Sequence, residues 1–161
     1  KFNSIALEAV SMVSGAYQNY KLNNTVTAAT TIGDLSPYMN YVKYDSTTIT
    51  DNLYDSTTSG CSFVERDCLI LHSGAVLRYE NNANDHFGGT ESTSAIWFEI
   101  DPDGKVTTTG VAGTPGKSVR LYLYINGRVT TIGKLLPNTY QGGAPHSAIP
   151  ARDPPWFSWS N

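Results

Sequence analysis

The apolar residues at the start of the chain repeat with the period of an α-helix. Six of them fall within one arc of a helical wheel, because they are one, three or four residues apart. These residues are Ile5, Ala9, Met12, Val13, Ala16 and Tyr20. The pattern predicts one long helix over residues 1–22.

A second apolar row on this helix consists of Leu7, Val10 and Tyr17. It widens the apolar arc beyond the ~100° that a surface helix needs to face its own core. Two explanations remain open: the helix is buried deep in its own domain, or its second side meets a partner protein. In the second case Leu7, Val10 and Tyr17 form an assembly interface.

From Cys68 onward the apolar period changes to two, which is typical of β-strands. Strands are expected at residues 69–71, 75–79, 95–100, 106–109, 119–125 and 128–132. Turn residues separate them, and Asn126-Gly127 is the strongest short hairpin signal among these. The spacing therefore predicts an antiparallel meander of five or six strands over residues 68–132.

The rest of the chain has weaker patterns. Residues 23–67 are expected to be a loop region that contains one short helical turn, which Asp34 or Ser36 can cap and in which Pro37 is tolerated at the first helical position. Residues 133–161 are rich in proline, glycine and aromatic residues and are expected to be an irregular tail. Together these segments predict a single α+β domain of residues 1–161, with one long N-terminal helix packed on the apolar face of an antiparallel meander.

Composition removes several classes of protein from consideration. The chain has 161 residues and a formal net charge of −3, which lacks the basic excess of a nucleic-acid-binding domain. Serine and threonine make up about a fifth of it. No apolar run approaches the roughly 18 residues of a membrane span. A single globular domain with a hydroxyl-rich, weakly charged surface remains.

The two cysteines, Cys61 and Cys68, enclose six residues. This spacing fits neither a CxxC redox pair nor a zinc site, which needs further cysteine or histidine ligands nearby. A small structural disulfide between them is the preferred interpretation, and two unpaired thiols are the alternative. A disulfide would imply an exported protein.

The sequence offers little material for catalysis. His72, His86 and His146 are isolated from one another, and no serine lies in a G-x-S-x-G motif. The acidic residues Glu99, Asp101 and Asp103 are better explained by a turn than by a calcium site, which needs more oxygen ligands. We therefore predict no catalytic residue, no metal site and no cofactor.

The aromatic residues of the tail suggest two roles. Trp156 and Trp159, with Phe157 between them, could form a platform on which sugar rings stack. Alternatively, the same side chains dock on the body of the domain and hold the C-terminal segment in place.

Several segments resemble the soluble domain of type IV pilins and pseudopilins, and the shared layout covers nearly the whole chain. The layout is a long N-terminal helix, a loop segment, an antiparallel sheet and an irregular tail. The segments that carry the resemblance are Gly33–Tyr41 after the helix, Phe98–Lys105 at a hairpin, Gly116–Val119, and Tyr122–Arg128. The chain departs from the family in its short, central cysteine spacing, and it contains no leader-peptidase site.

The resemblance implies a structural subunit of an extracellular or periplasmic filament, either a pilin, a minor pilin or a pseudopilin. Its partners would be copies of itself or related pilins, and an apolar N-terminal half-helix would anchor it in the inner membrane before assembly. An exported, cell-surface location follows from the same resemblance. The rival expectation is a secreted carbohydrate- or surface-binding adhesion module that uses Trp156 and Trp159.

Overall fold

A computed structural model describes residues 2–45, 66–80, 85–90, 94–102, 119–131, 153 and 155–159. They form an α+β structure in which an N-terminal helix packs on a six-stranded antiparallel sheet, as the patterns predicted. The helices are α1 (Phe2–Asn23) and α2 (Ile32–Leu35), and a 3-10 turn follows at Ser36–Tyr38. The strands are β1 (Tyr41–Asp45), β2 (Arg66–Leu71), β3 (Val76–Glu80), β4 (Ala95–Asp101), β5 (Val119–Tyr124) and β6 (Val129–Thr131).

The buried face of α1 is rotated relative to the predicted one. Its buried residues are Ala6, Ala9, Val10, Val13, Ala16 and Tyr17. Ile5, Met12 and Tyr20, which were expected at the centre, are only partly buried at its margin. Three of the six buried side chains are alanines, and such small side chains let the helix backbone approach the sheet closely.

The opposite face of α1 stays in contact with water. Ser4, Glu8, Ser11, Gln18 and Leu22 are exposed. Because they are three, four or seven residues apart, they lie in one line along the helix. We call these five residues the outer stripe. It runs nearly the whole length of α1, on the side away from the sheet.

The strands pair in chain order, β1 to β6, and each pair is antiparallel. The segment 23–67, predicted to be a loop region with one short helical turn, contains that turn as α2, but it also contains the edge strand β1 and the start of β2. β1 was missed because Val42 and Tyr44 are 60% and 48% exposed, so the strand does not show the alternation of a half-buried one. Its register with β2 is irregular between Tyr41 and Lys43.

The short helix α2 begins with a capping box. Thr31 is the N-cap, and its hydroxyl accepts a hydrogen bond from the Asp34 backbone N–H at 3.1 Å. The Asp34 carboxylate in turn accepts one from the Thr31 N–H at 2.9 Å. Asp34 therefore takes part in the cap as its third helical residue, whereas the expected caps were Asp34 or Ser36. Pro37 lies at the start of the 3-10 turn, where no backbone donor is needed.

Two hairpins of the sheet share one loop geometry. In each, the backbone carbonyl of the residue at the strand end accepts a hydrogen bond from a glycine N–H three residues later. Leu71 accepts from Gly74 at 2.9 Å, and Tyr124 accepts from Gly127 at 2.8 Å. Both glycines have positive φ angles, 87° and 89°. These are three-residue loops closed by a left-handed glycine. The Asn126-Gly127 signal thus located the β5–β6 hairpin correctly.

The β5–β6 hairpin is also held by α1. The Tyr17 hydroxyl donates to the carbonyl oxygen of Ile125 at 2.5 Å, and burial raises the pKa of Tyr17, which keeps it a neutral donor. A Cβ atom placed on Gly127 would lie 2.8 Å from Cε1 of Tyr17. The hairpin and the helix therefore meet at a glycine that has no room for a side chain.

The strand predicted at residues 106–109 lies outside the described residues, as does most of the predicted tail.

We predict that Gly127→Ala destabilises the domain more than Gly74→Ala does. Both substitutions force an L-residue into a left-handed conformation, which costs about 1–2 kcal/mol. Only Gly127 also faces the Tyr17 ring, whereas nothing lies within 4 Å of a Cβ on Gly74. Urea unfolding of both variants should show an additional loss of about 1–3 kcal/mol for Gly127→Ala. Equal losses would contradict a tight contact between the hairpin and α1.

Candidate functional site

The most distinctive chemistry of the described residues lies on the sheet face that points away from α1. Strand register places Arg78 of β3 opposite Glu99 of β4, and Glu99 opposite Arg120 of β5. The Glu99 carboxylate accepts from Nη2 of Arg78 at 3.0 Å and from Nη2 of Arg120 at 2.9 Å. All three side chains are fully buried. We call these three residues the ionic row.

The neighbours of the ionic row add a second carboxylate and an aromatic ring. Asp101, two residues beyond Glu99 on the same face of β4, is also fully buried. The Arg120 guanidinium lies over the Trp97 ring, 4.1 Å from its centroid. Stacking of this kind suits the planar, weakly hydrated guanidinium. Two buried cations and two buried carboxylates thus lie together, and the set is formally neutral.

Aromatic residues continue this face toward the other end of β4 and β5. Ala95, Trp97, Tyr122 and Tyr124 form a buried cluster separate from the core under α1. Burial raises the pKa of Tyr122, and the positive charge of nearby Arg120 opposes that rise. The Arg128 guanidinium lies 4.9 Å from the Tyr124 ring centroid. Along β4 and β5 this face is closed to water, so its contacts hold the sheet together.

A second set of polar contacts holds the edge strand β1. The Tyr44 hydroxyl donates to Oδ2 of Asp67 at 2.6 Å, and Asp67 is 5% exposed. Tyr79 pairs with Asp67 across β2 and β3. Burial raises the pKa of Tyr79, and the negative charge of Asp67 raises it further, so that its hydroxyl stays neutral. This contact ties β1 to β2 beyond their backbone pairing.

The tail aromatics dock on the domain. Phe157 is 7% exposed and belongs to the main core, against which Trp156 and Trp159 pack while partly buried. Successive rings meet edge to face, with centroids 6.1 Å apart for Trp156 and Phe157 and 5.7 Å apart for Phe157 and Trp159. Edge contacts between partly covered rings do not make a flat platform for a sugar. The structure therefore shows the docked arrangement that the sequence left as one of two alternatives.

The predicted assembly interface does not form an exposed face. Val10 and Tyr17 are 5% and 1% exposed and belong to the core beneath α1. Leu7 is partly buried and packs against that core. The broad apolar arc of the helix is therefore explained for these residues by burial within the chain itself, which was the first of the two explanations.

The described residues contain little else that resembles a reaction centre. His72 Nε2 lies 3.0 Å from the Asn40 side-chain oxygen, and His86 Nδ1 lies 3.3 Å from the Asp85 carboxylate. Within the described residues no three His, Cys, Asp or Glu side chains are placed to hold a metal ion. Cys68 is buried and disulfide-bonded, whereas Cys61 lies outside the described residues.

Two open grooves flank α1. One, of about 330 Å³, lies beside Glu8, Ser11, Met12 and the His72-Ser73 turn. The other, of about 470 Å³, lies beside Tyr17, Lys21, Asn24 and Asn126. Neither brings a histidine and a carboxylate into hydrogen-bond contact.

Comparison with family profiles, curated proteins and solved structures found no match to this chain. Among the described residues, no helix has both the length and the hydrophobicity needed to cross a bilayer. The charged face of β3–β5 was not anticipated from the sequence. The available signal was the alternation in β4, which places Trp97, Glu99 and Asp101 on the face opposite Ile96, Phe98 and Ile100.

We predict that Glu99→Ala destabilises the domain by about 3–5 kcal/mol, because it leaves two buried guanidinium groups without their shared carboxylate. Denaturant unfolding measures the loss. As a control, the variant Arg78→Met, Glu99→Leu, Arg120→Met, Asp101→Asn removes both cations and both carboxylates of this face together. It should recover a large part of the stability that the single variant loses. A single variant as stable as the parent would contradict the charge compensation described here.

Proposed function

We propose that this chain is the globular part of a structural subunit in a type IV pilus-like filament, as a pilin, a minor pilin or a pseudopilin. The observation that carries the proposal is the position of α1. One face of the helix is buried on an antiparallel meander, and the outer stripe on the other face is exposed to solvent along nearly its whole length. Filaments of this class have helices at their centre and globular domains outside them, which requires a helix with one face in its own domain and another available to neighbours.

The structure changes which residues would meet the neighbouring subunits. Val10 and Tyr17 are in the core, so the contact surface of α1 is the outer stripe. Ser11 lies at its centre, and its small side chain permits close approach of another helix. A heterologous contact of this kind, repeated without closing, produces an open helical fibre.

Two further observations support an exported structural role. Cys68 is disulfide-bonded, and disulfides persist in oxidising compartments outside the cytosol. The chain has few charges and about a fifth of its residues are serine or threonine, which suits the outer surface of a fibre. The proposal places the subunit in the inner membrane before assembly and at the cell surface or in the periplasm afterwards.

The proposal also predicts a feature of the intact gene product. It requires an apolar segment upstream of Phe2, long enough to span a bilayer, that continues α1 without interruption. Its partners would be copies of itself or related pilins through that helix. The rival function, a saccharide-binding module built on Trp156 and Trp159, receives no support from two rings that are partly buried and meet Phe157 edge to face.

We predict that Ser11→Arg in the full-length protein reduces the yield of filaments sheared from cells by about tenfold or more. A bulky charge at the centre of the outer stripe opposes helix packing, and a loss of only about 1.4 kcal/mol per contact is a tenfold change in the association constant. Electron microscopy and quantification of sheared filaments measure the effect. The isolated domain should unfold at an unchanged midpoint, because Ser11 is exposed.

Thr90→Arg is the matched control. Thr90 is also exposed, but it lies outside α1, in the segment before β4, so the same added charge should leave filament yield near that of the parent. Normal filaments from the Ser11→Arg strain would overturn the role of the outer stripe. An intact gene product without an apolar segment upstream of Phe2 would overturn the proposed function itself.

A further inference from the structure

The C-terminal residues contact the first turn of α1, although they are more than 150 positions away in the sequence. The backbone N–H of Ser158 donates to the side-chain oxygen of Asn3 at 2.8 Å. The ring of Trp156 meets the ring of Phe2 edge to face, with centroids 6.3 Å apart. The end of the described chain therefore lies against the beginning of the helix.

The same segment also contacts the edge strand β6. Trp159 donates from Nε1 to the Thr131 hydroxyl at 3.1 Å, and that hydroxyl donates to the Asp153 carboxylate at 2.8 Å. Thr131 is fully buried, so both of these hydrogen bonds meet at its hydroxyl oxygen inside the protein. Phe157 enters the core between these two attachments.

The first turn of α1 has little burial of its own. Of residues 2–5, Phe2 and Ser4 are exposed and Asn3 and Ile5 are partly buried, and the first fully buried side chain of the helix is Ala6. Helix ends open easily when they lack tertiary contacts, because their terminal backbone groups have few intrahelical partners. The contacts with Trp156 and Ser158 thus add tertiary support to a turn of α1 that has little burial of its own.

We propose that Asp153 and Pro155–Trp159 form a clasp that couples the first turn of α1 to strand β6. The clasp has two attachment points, Asn3 with Phe2 on the helix and Thr131 on the sheet, joined by the buried ring of Phe157. Release of either point loosens the other. Force applied along α1 from its N-terminal end passes through the clasp into the sheet, as well as through the buried face of the helix.

The force-bearing role rests on the proposed function, because a filament subunit is pulled through its N-terminal helix. The coupling itself does not, and it is measured on the isolated domain by amide hydrogen exchange. The informative amides are those of Ala6, Leu7 and Glu8, whose N–H groups bond to the carbonyls of the first turn.

The test uses Asn3→Ala, which removes the acceptor for Ser158. Alanine is a better helix former than asparagine, so without a clasp this substitution should slow exchange at the helix start. With a clasp, we expect exchange at Ala6–Glu8 to become about tenfold faster, the factor that one lost hydrogen bond of ordinary strength produces. The control is Asn19→Ala, the same change at an exposed position near the other end of α1, which should not accelerate these amides.

A second variant tests the coupling between the two attachment points. Thr131→Val keeps the shape of the side chain but removes the hydroxyl that Trp159 and Asp153 share. We expect faster exchange at Ala6–Glu8 in this variant too, while amides at the centre of β4, which does not pair with β6, stay unchanged. Exchange that accelerates only near Thr131, or slower exchange at the helix start in Asn3→Ala, would overturn the clasp. Normal filaments from Ser11→Arg would leave the clasp standing, so the two proposals fail separately.

Discussion

Because both faces of the sheet are removed from water along β4 and β5, the side chains on these strands depend on contacts inside the protein. On the face toward α1 these contacts are apolar. The alanines of the helix, with Val10, Val13 and Tyr17, pack against the inward residues of the strands. On the opposite face the contacts are between charged side chains, and buried charges are tolerated only when they are paired. Glu99, accepting from Arg78 and Arg120, provides that pairing across three strands.

This arrangement also fixes strand register. A shift of β4 by one residue relative to both β3 and β5 would send Glu99 into the apolar core and separate it from both guanidinium groups. A pair of buried ions therefore specifies alignment more strictly than apolar contacts do, because apolar side chains exchange neighbours at small cost. The bond from Tyr17 to the Ile125 carbonyl supplies a similar alignment between the helix and the last hairpin.

Much of the fold followed from local patterns in the sequence. The helix, the hairpin turns at Gly74 and Gly127 and five of the six strands carry signals that depend on neighbouring residues alone. The edge strand β1 did not, because its exposed Val42 and Tyr44 lack the alternation that one-sided burial imposes. The rotation of the buried face of α1 depended on which side chains fit the sheet, so the sequence left open whether Val10 and Tyr17 face a partner or the core, to which they belong. The ionic row was missed because only pairing between distant strands brings Arg78, Glu99 and Arg120 together.

The irregular register of β1 has a consequence for how such domains behave when they are crowded. A bulge twists an edge strand and misaligns its unpaired backbone groups, which prevents a foreign strand from adding in register. At the other edge, β6 has only three residues, and the docked C-terminal segment is attached to it through Thr131. Both borders thus carry features that oppose edge-to-edge pairing of the sheet with that of another copy.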